Sequence, residues 1–131
     1  MKRALDRAFH PTAPMVPVRI AAPDGVDRAA ADGKVDTGAD LCAIPERLVV
    51  ELDVPPVRVV RAAGFGGALV EATVYRVDLE IDGMSFPHVE ALATRRPYVI
   101  IGRNVLSHLV LRIDGPGERL ELRQPTPRRR R

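Results

Sequence analysis

An acidic side chain followed by a hydroxyl and a glycine, in Asp36-Thr37-Gly38-Ala39-Asp40, is the stretch of this chain best suited to chemistry. These residue types in this order can present a carboxylate at a tight, hydrogen-bonded turn. One such turn supplies half of a two-carboxylate active site. The 131 residues contain neither a second Asp-Thr-Gly nor an Asp-Ser-Gly, so two chains must meet to complete a site if the motif is catalytic.

Two more stretches that could contribute to a site follow the acidic turn along the chain. Three glycines fall within four positions at Gly64-Phe65-Gly66-Gly67, and an apolar run leads into Ile100-Ile101-Gly102-Arg103-Asn104. Each pattern alone is weak, because Asp-Thr-Gly occurs by chance in many loops and a glycine-rich hairpin is usually an ordinary hairpin. Their order and spacing carry the information.

The elements that must position these residues are mainly strands. Apolar runs bounded by glycine and proline predict an all-β barrel or sandwich with one or two short helices. A change of parity near Tyr75-Arg76 indicates a bulge, Pro17 suggests an edge strand, and Pro45 indicates a helix start. The predicted strands are 16–20, 26–35, 41–44, 57–62, 68–81, 84–93, 98–101, 109–113 and 119–122, with helical turns within 45–52 and 103–109.

The chain has one domain's worth of residues. Residues 1–14 lack periodicity and are predicted to be an N-terminal arm, residues 15–123 form the domain, and residues 124–131 form a basic Pro/Arg tail. Hydrophobic residues make up 46% of the chain, enough for a core, but aromatic residues only 4%, so burial in a dimer would help its stability.

Together, the three motifs resemble the retropepsins, the retroviral-type aspartic proteases, across roughly residues 16–123. The absence of a signal peptide and the Ala/Arg/Pro-rich composition look more like the bacterial members. The resemblance implies a closed, barrel-like acid protease fold that functions as a homodimer. It also implies an aspartic endopeptidase that cleaves peptide or protein substrates and needs no metal or cofactor.

The resemblance further implies roles for the acidic turn. Two symmetry-related Asp36 carboxylates would share a proton and activate a water against the peptide carbonyl. Thr37 is expected to brace the two turns across the dimer, and Gly38 to leave room for substrate backbone. Ala39 keeps the floor of the site small. Asp40 is expected to bind a substrate N–H, although a turn-capping carboxylate is an alternative.

The other two motifs are assigned roles by the same resemblance. Gly64, Phe65, Gly66 and Gly67 correspond to a mobile flap tip that closes over substrate, with Phe65 as its apolar residue. Phe65, Val99 and Ile100 are expected to line the cleft, which mildly favours cleavage near hydrophobic side chains. Ile101 and Gly102 are expected to support the acidic turn from beneath.

Arg103 is expected to pair with Asp40, because its rigid fork matches a carboxylate. A surface cation at a helix start is the alternative for Arg103.

Lys34 departs from the family pattern, which usually has two apolar residues before the aspartate. Strand alternation puts Lys34 on the same side as Asp36. Its cation could oppose the shared-proton state, line a subsite that favours acidic side chains, or lie along the surface without a role. This substitution leaves open a second hypothesis, a catalytically impaired dimeric module that binds peptides or assists assembly.

The distribution of charge limits where the chain could bind nucleic acid. The net charge is +3, but the last four residues, 128–131, are all arginine, and without them 16 basic residues face 17 acidic ones. The tail is either solvated or an electrostatic contact for nucleic acid or an acidic partner, and we expect nucleic-acid binding nowhere else.

Cys42 is the single cysteine, which excludes an internal disulfide and suits a cytoplasmic location; we expect it to be a buried, small apolar residue. His88 and His108 are expected to be structural or solvent-facing. No apolar run reaches the ~20 residues that span a bilayer, and none resembles a signal peptide.

Overall fold

A closed six-stranded barrel forms the body of the protein in a computed structural model that describes residues 1–63 and 66–127. The strands are β1 (Lys2–Ala4), β2 (Met15–Ala21), β3 (Arg28–Val35), β4 (Cys42–Pro45), β5 (Pro56–Ala63), β6 (Leu69–Ile81), β7 (Met84–Thr94), β8 (Val99–Ile101), β9 (Val110–Asp114) and β10 (Arg119–Arg123), and the helices are α1 (Glu46–Glu51) and α2 (Arg103–Leu106). The barrel strands follow the order β2-β3-β8-β4-β7-β6, and pairing of β2 with β6 closes the ring.

The predicted barrel is confirmed, and its turns follow from local sequence. Asp82 and Gly83, with φ of 50° and 73°, form the tight connection between β6 and β7 that a two-residue hairpin requires. The β5–β6 pairing shifts register where Pro56 and Arg58 face Tyr75 and Val74, at the bulge predicted from the change of parity. A second shift lies between Val77 and Leu79 in the β6–β7 pairing.

Strand β2 is paired on both sides, which corrects the edge position suggested by Pro17. It pairs with β3 along Met15–Ala21 but with β6 only from Arg19 onward. Pro17 therefore lies outside the stretch shared with β6. A proline without an N–H is tolerated there because the second ladder has not yet begun.

The N-terminal segment contains a strand that the sequence pattern does not indicate. β1 pairs with β10, and β10 pairs with β9, in a separate three-stranded sheet. Leu5 is buried, and the main chains of Met1 and Leu122 exchange two hydrogen bonds of 2.9 Å. The two ends of the described chain are thus held together.

One hydrophobic core joins the barrel to the small sheet. Leu120 and Leu122 of β10 pack into the same cluster as the inward side chains of the barrel. Its largest fully buried side chains include Ile20, Ile44, Leu48, Leu79, Ile81, Ile101, Leu120 and Leu122. Burial of this apolar surface determines which face of β3 and of β8 points into the core. The opposite face of each strand is then available for a functional site. No helix within the described part of the chain is long and apolar enough to span a bilayer.

Candidate active site

The acidic turn begins where β3 leaves the barrel. The backbone N–H of Asp36 donates to the carbonyl of Ile101 at 3.0 Å, so the turn starts as an extension of the β3–β8 pairing. The Asp36 side chain then organises its own turn, since Oδ1 accepts the backbone N–H of Gly38 at 2.9 Å. The backbone N–H of Ala39 donates a hydrogen bond to the Asp36 carbonyl at 3.3 Å and completes the turn. The carboxylate is therefore fixed by backbone at one oxygen and half-buried.

The start of α2 clamps the other end of this turn. The backbone N–H groups of Arg103 and Asn104 donate to the carbonyls of Ala39 (2.8 Å) and Asp40 (3.3 Å). The guanidinium of Arg103 donates to the Thr37 carbonyl at 2.9 Å and forms an ion pair with Asp40. The Arg103–Asp40 pair implied by the resemblance is thus present in the structure, and one arginine holds both sides of the turn.

Gly102 permits this clamp because nothing larger fits at its position. A Cβ built on Gly102 would lie 2.6 Å from the carbonyl carbon and oxygen of Leu41, and 3.0 Å from the Ala39 carbonyl oxygen. These are backbone atoms, so they cannot move aside as a flexible side chain would. The close approach of β8 to the acidic turn therefore depends on glycine.

Asn104 is a supporting residue to which the sequence analysis assigned no role. Its Oδ1 accepts the backbone N–H of Cys42 at 3.0 Å, and its Nδ2 donates to the carbonyl of Glu90 at 2.9 Å, so it links β4 to β7 beneath the turn. Its position directly after Arg103 in the third motif is the signal that could have identified it.

The Cys42 thiol lies in the same interior and is buried as predicted. It donates to Asn104 Oδ1 at 3.2 Å and accepts the N–H of Gly102 at 3.3 Å. Burial raises the pKa of this thiol to about 11, although the hydrogen bond from Gly102 acts in the opposite direction. The thiol is therefore protonated and unreactive at neutral pH.

The expectation that Val99 of β8 lines the cleft is wrong. Val99 and Ile101 are fully buried in the core, whereas Ile100 is half-buried on the face that also carries Asp36 and Lys34. Successive side chains of a strand point to opposite faces, so Val99 cannot line a cleft beside Ile100. Ile100 remains a candidate for substrate contact.

Lys34 points toward an aromatic pair. Its Nζ lies 5.3 Å from the ring centroid of Phe9 and 5.9 Å from that of Tyr98, within range of a cation–π interaction. The two rings meet edge to face with centroids 5.7 Å apart. Among the described residues, no ion pair joins Lys34 to Asp36.

The glycine-rich hairpin connects β5 and β6, whose last described pair is Ala63 with Leu69. Gly66 and Gly67 have φ of 88° and 77°, values that side chains disfavour. Gly64 and Phe65 lie outside the described residues. The hairpin carries large apolar side chains that are exposed in the single chain, with 62% of Val59, 64% of Leu69 and 56% of Val70 accessible.

The Asp36 carboxylate keeps one oxygen without a partner in this arrangement of the described residues. In the described structure, no side chain hydrogen-bonds to the Asp36 carboxylate, and one of its oxygens has no hydrogen-bond partner. Asp40 is engaged by Arg103, so Asp36 is the uncompensated acid of the turn. A carboxylate held in this way can accept a proton from water if a second acid approaches it.

Comparison with known families gives a match along most of the chain. Residues 16–111 match the model of a family described as aspartyl protease. No curated protein matches the sequence.

Three solved retroviral proteins have similar folds. A foamy viral protease-reverse transcriptase in complex with an RNA/DNA hybrid is 21% identical with a TM-score of 0.55, and the match covers 72% of this chain but 12% of that one. The EIAV protease complexed with the inhibitor HBY-793 is 24% identical with a TM-score of 0.51 (73% and 86% covered), and the simian foamy virus (mac) protease is 17% identical with a TM-score of 0.54 (72% and 92% covered). At these identities the likeness shows a shared fold.

Proposed function

Because the chain belongs to the aspartyl protease family, we propose that it is an aspartic endopeptidase that works as a homodimer. The observation that carries this proposal is the Asp36 turn. Its carboxylate is held by the N–H of Gly38 and braced through Arg103, yet retains one oxygen for chemistry. A single chain supplies one such carboxylate, and the mechanism needs two.

The proposed mechanism uses the two carboxylates in different protonation states. At a separation of about 3 Å, two Asp36 side chains cannot both ionise, so they hold one proton between them. The ionised one takes a proton from a water while the protonated one donates a hydrogen bond to the substrate carbonyl. The water oxygen then adds to the carbonyl carbon, and the amide nitrogen leaves with a proton from the dyad.

Exposed and half-buried apolar side chains support the binding of an extended peptide. Ile100 lies on the same face as Asp36, and the β5–β6 hairpin carries exposed Val59, Leu69 and Val70. A peptide between this face and the hairpin, which we name the flap (residues 56–69), would cover apolar surface and pair its backbone with protein. Gly66 and Gly67 give the flap the backbone freedom that closure over a peptide requires.

The alternative of a catalytically impaired peptide-binding module rests on Lys34. Its ammonium lies over the rings of Phe9 and Tyr98, and this placement favours an intact dyad over a permanent Lys34–Asp36 ion pair. The cytoplasmic location stays a prediction. The basic tail at 128–131 and its contact with nucleic acid also stay predictions, because those residues lie outside the described part.

Substitution of Asp36 tests the function directly. We expect the purified protein to cleave an unfolded protein substrate at mildly acidic pH, and Asp36→Asn to reduce the rate by at least about a thousandfold, since the substitution replaces both carboxylates of the shared-proton dyad. The matched control is Asp53→Asn. It makes the same change on an exposed residue whose φ of 49° suits asparagine.

Both variants should show circular dichroism spectra and unfolding midpoints close to those of the parent protein. Cleavage that persists in Asp36→Asn, with the same products, would contradict the mechanism. Binding of intact peptides without cleavage by the parent protein would support the impaired module instead.

A further inference from the structure

Two cations share one aromatic cluster beside the candidate active site. Lys34 lies over Phe9 and Tyr98, and the guanidinium of Arg96 lies 5.9 Å from the centroid of the Tyr98 ring and donates to the Tyr98 hydroxyl at 2.7 Å. Three chain segments thus converge: the N-terminal segment, β3 and the loop before β8. We call Phe9, Lys34, Arg96 and Tyr98 the cationic cluster.

The cationic cluster has no acidic partner within residues 1–63 and 66–127. The ion pairs of the described structure occupy other cations, and neither Lys34 nor Arg96 takes part in one. Aromatic faces attract a cation but leave its N–H donors without acceptors, and Lys34 carries three of them. A carboxylate placed here would meet two positive charges.

Strand geometry puts this cluster next to the reaction centre. Lys34 lies opposite Ile100 in the parallel pairing of β3 with β8. Asp36 follows directly after the last residue of β3, and its N–H continues this pairing by donating to the Ile101 carbonyl. Residues two apart on a strand share a face and are separated by about 6.6 Å. A peptide bond at the Asp36 carboxylates would therefore place a neighbouring side chain within reach of the long side chain of Lys34.

We propose that the cationic cluster is a substrate subsite that selects an Asp or Glu side chain next to the scissile peptide bond. This inference rests on the proposed protease function and names the substrate class for the same site. The aromatic rings hold Lys34 and Arg96 in place, so little side-chain freedom is lost when the carboxylate binds. The charge-assisted hydrogen bonds that form are stronger than those to an uncharged amide.

The test compares substrates that differ only in charge. Otherwise identical peptides carry Glu or Gln on either side of the scissile bond, and kcat/KM is measured for the full-length protein. We expect the better Glu peptide to be preferred over its Gln counterpart by about tenfold. Lys34→Met should reduce this ratio to near one, Arg96→Gln should reduce it in part, and Lys34→Glu should favour Lys peptides.

Arg19→Gln serves as the matched control. It removes one exposed positive charge on β2, from a side chain that takes no part in the cation–π contacts of the cationic cluster, and should leave the Glu/Gln ratio unchanged. An equal rate for Glu and Gln peptides in the parent protein overturns the subsite while leaving the protease intact. An unchanged ratio in both Lys34→Met and Arg96→Gln, with weaker dimers by sedimentation, also overturns it and assigns Lys34 to the contact between subunits.

A second measurement keeps the subsite testable if no peptide is cleaved. Fluorescently labelled Glu and Gln peptides are then titrated with the parent protein and with Arg96→Gln. Tighter binding of the Glu peptide, lost in Arg96→Gln, supports the subsite although the proposed protease function has failed. Equal affinity for the two peptides contradicts the subsite independently of catalysis.

Discussion

At the scale of single residues, the position of the Asp36 carboxylate depends on the groups that restrain its turn. Gly38 supplies an N–H to one carboxylate oxygen, and Arg103 holds the turn through the Thr37 carbonyl and the Asp40 side chain. Beneath them, Asn104 Oδ1 accepts hydrogen bonds from the backbone N–H and the thiol of Cys42, among side chains that are mostly apolar. Satisfaction of these buried polar groups fixes a single arrangement of the floor of the site.

The Cys42 thiol gives a pH dependence with a definite sign. Its pKa in the folded protein is about 11, above the ordinary 9.0, so the unfolded chain loses the thiol proton first. Folding stability should therefore be constant below about pH 9 and fall between about pH 9 and pH 11. Relative to Cys42→Ser, which does not titrate, the parent protein should lose about 2 kcal/mol at about pH 10.5.

Urea unfolding under reducing conditions at several pH values measures this difference. The comparison with Cys42→Ser removes the pH dependence that the two proteins have in common. Stability curves that stay parallel from neutral to alkaline pH would show that the thiol is not buried in the way described.

At the scale of elements, the junction of β8 with α2 positions the acidic turn. Ile101 accepts the first hydrogen bond of the turn, Gly102 allows close approach to Leu41 and Ala39, and Arg103 starts the helix that clamps the far side. Ile101, Gly102 and Arg103 thus each make a different contact with the acidic turn. The three residues must be consecutive because each contact depends on the position of the one before it.

Gly102→Ala tests this junction. The added Cβ would lie 2.6 Å from the backbone carbonyl of Leu41. We expect a loss of about 1–3 kcal/mol in the free energy of unfolding, because overpacking forces the backbone to shift. Cleavage should fall as well, since the shift displaces the Asp36 turn. Denaturant unfolding and kcat/KM measure the two effects.

Gly115→Ala is the corresponding control, because a Cβ at Gly115 meets no atom within 4 Å. Its effect should stay within about 0.5 kcal/mol. If Gly102→Ala were as stable and as active as Gly115→Ala, β8 would not approach the turn as closely as described.

At the scale of the whole molecule, the exposed apolar side chains and the single Asp-Thr-Gly turn both indicate that the proposed protease needs a second copy of the chain. One chain leaves Val59, Leu69 and Val70 of the flap and Ile113 of β9 open to water. A second copy and a bound peptide would cover such surfaces, and a two-fold axis would bring the same turn from each chain to one place. Activity should therefore belong to pairs of chains.

Mixing of subunits tests this expectation. When Asp36→Asn protein is added in threefold excess to a fixed amount of parent protein, random pairing should leave about a quarter of the activity, because mixed pairs hold one catalytic carboxylate. Protein concentrations are kept above the dimer dissociation constant, and an equal mass of serum albumin is the control. Activity that does not fall on mixing would indicate that each chain acts alone.

Much of the fold was predictable from sequence because strands and turns leave local signatures. Alternating apolar residues identified the strands of the barrel, and Asp82-Gly83 its tightest hairpin. β1 was missed because a three-residue strand is too short to show a period, and it becomes ordered only through its pairing with β10. For the site, the three motifs could be found, but the connection through Asn104 could not, since its partners Cys42 and Glu90 are distant in the chain.

The sequence by itself determined that one chain carries one Asp-Thr-Gly turn and that strands must hold it, because both are properties of neighbouring residues. Tertiary structure alone decided that Val99 faces the core while Ile100 faces the site, because burial selects which face of a strand turns inward. It also decided that Lys34 lies over Phe9 and Tyr98. Those three residues are far apart in the chain, and only closure of the barrel brings them together.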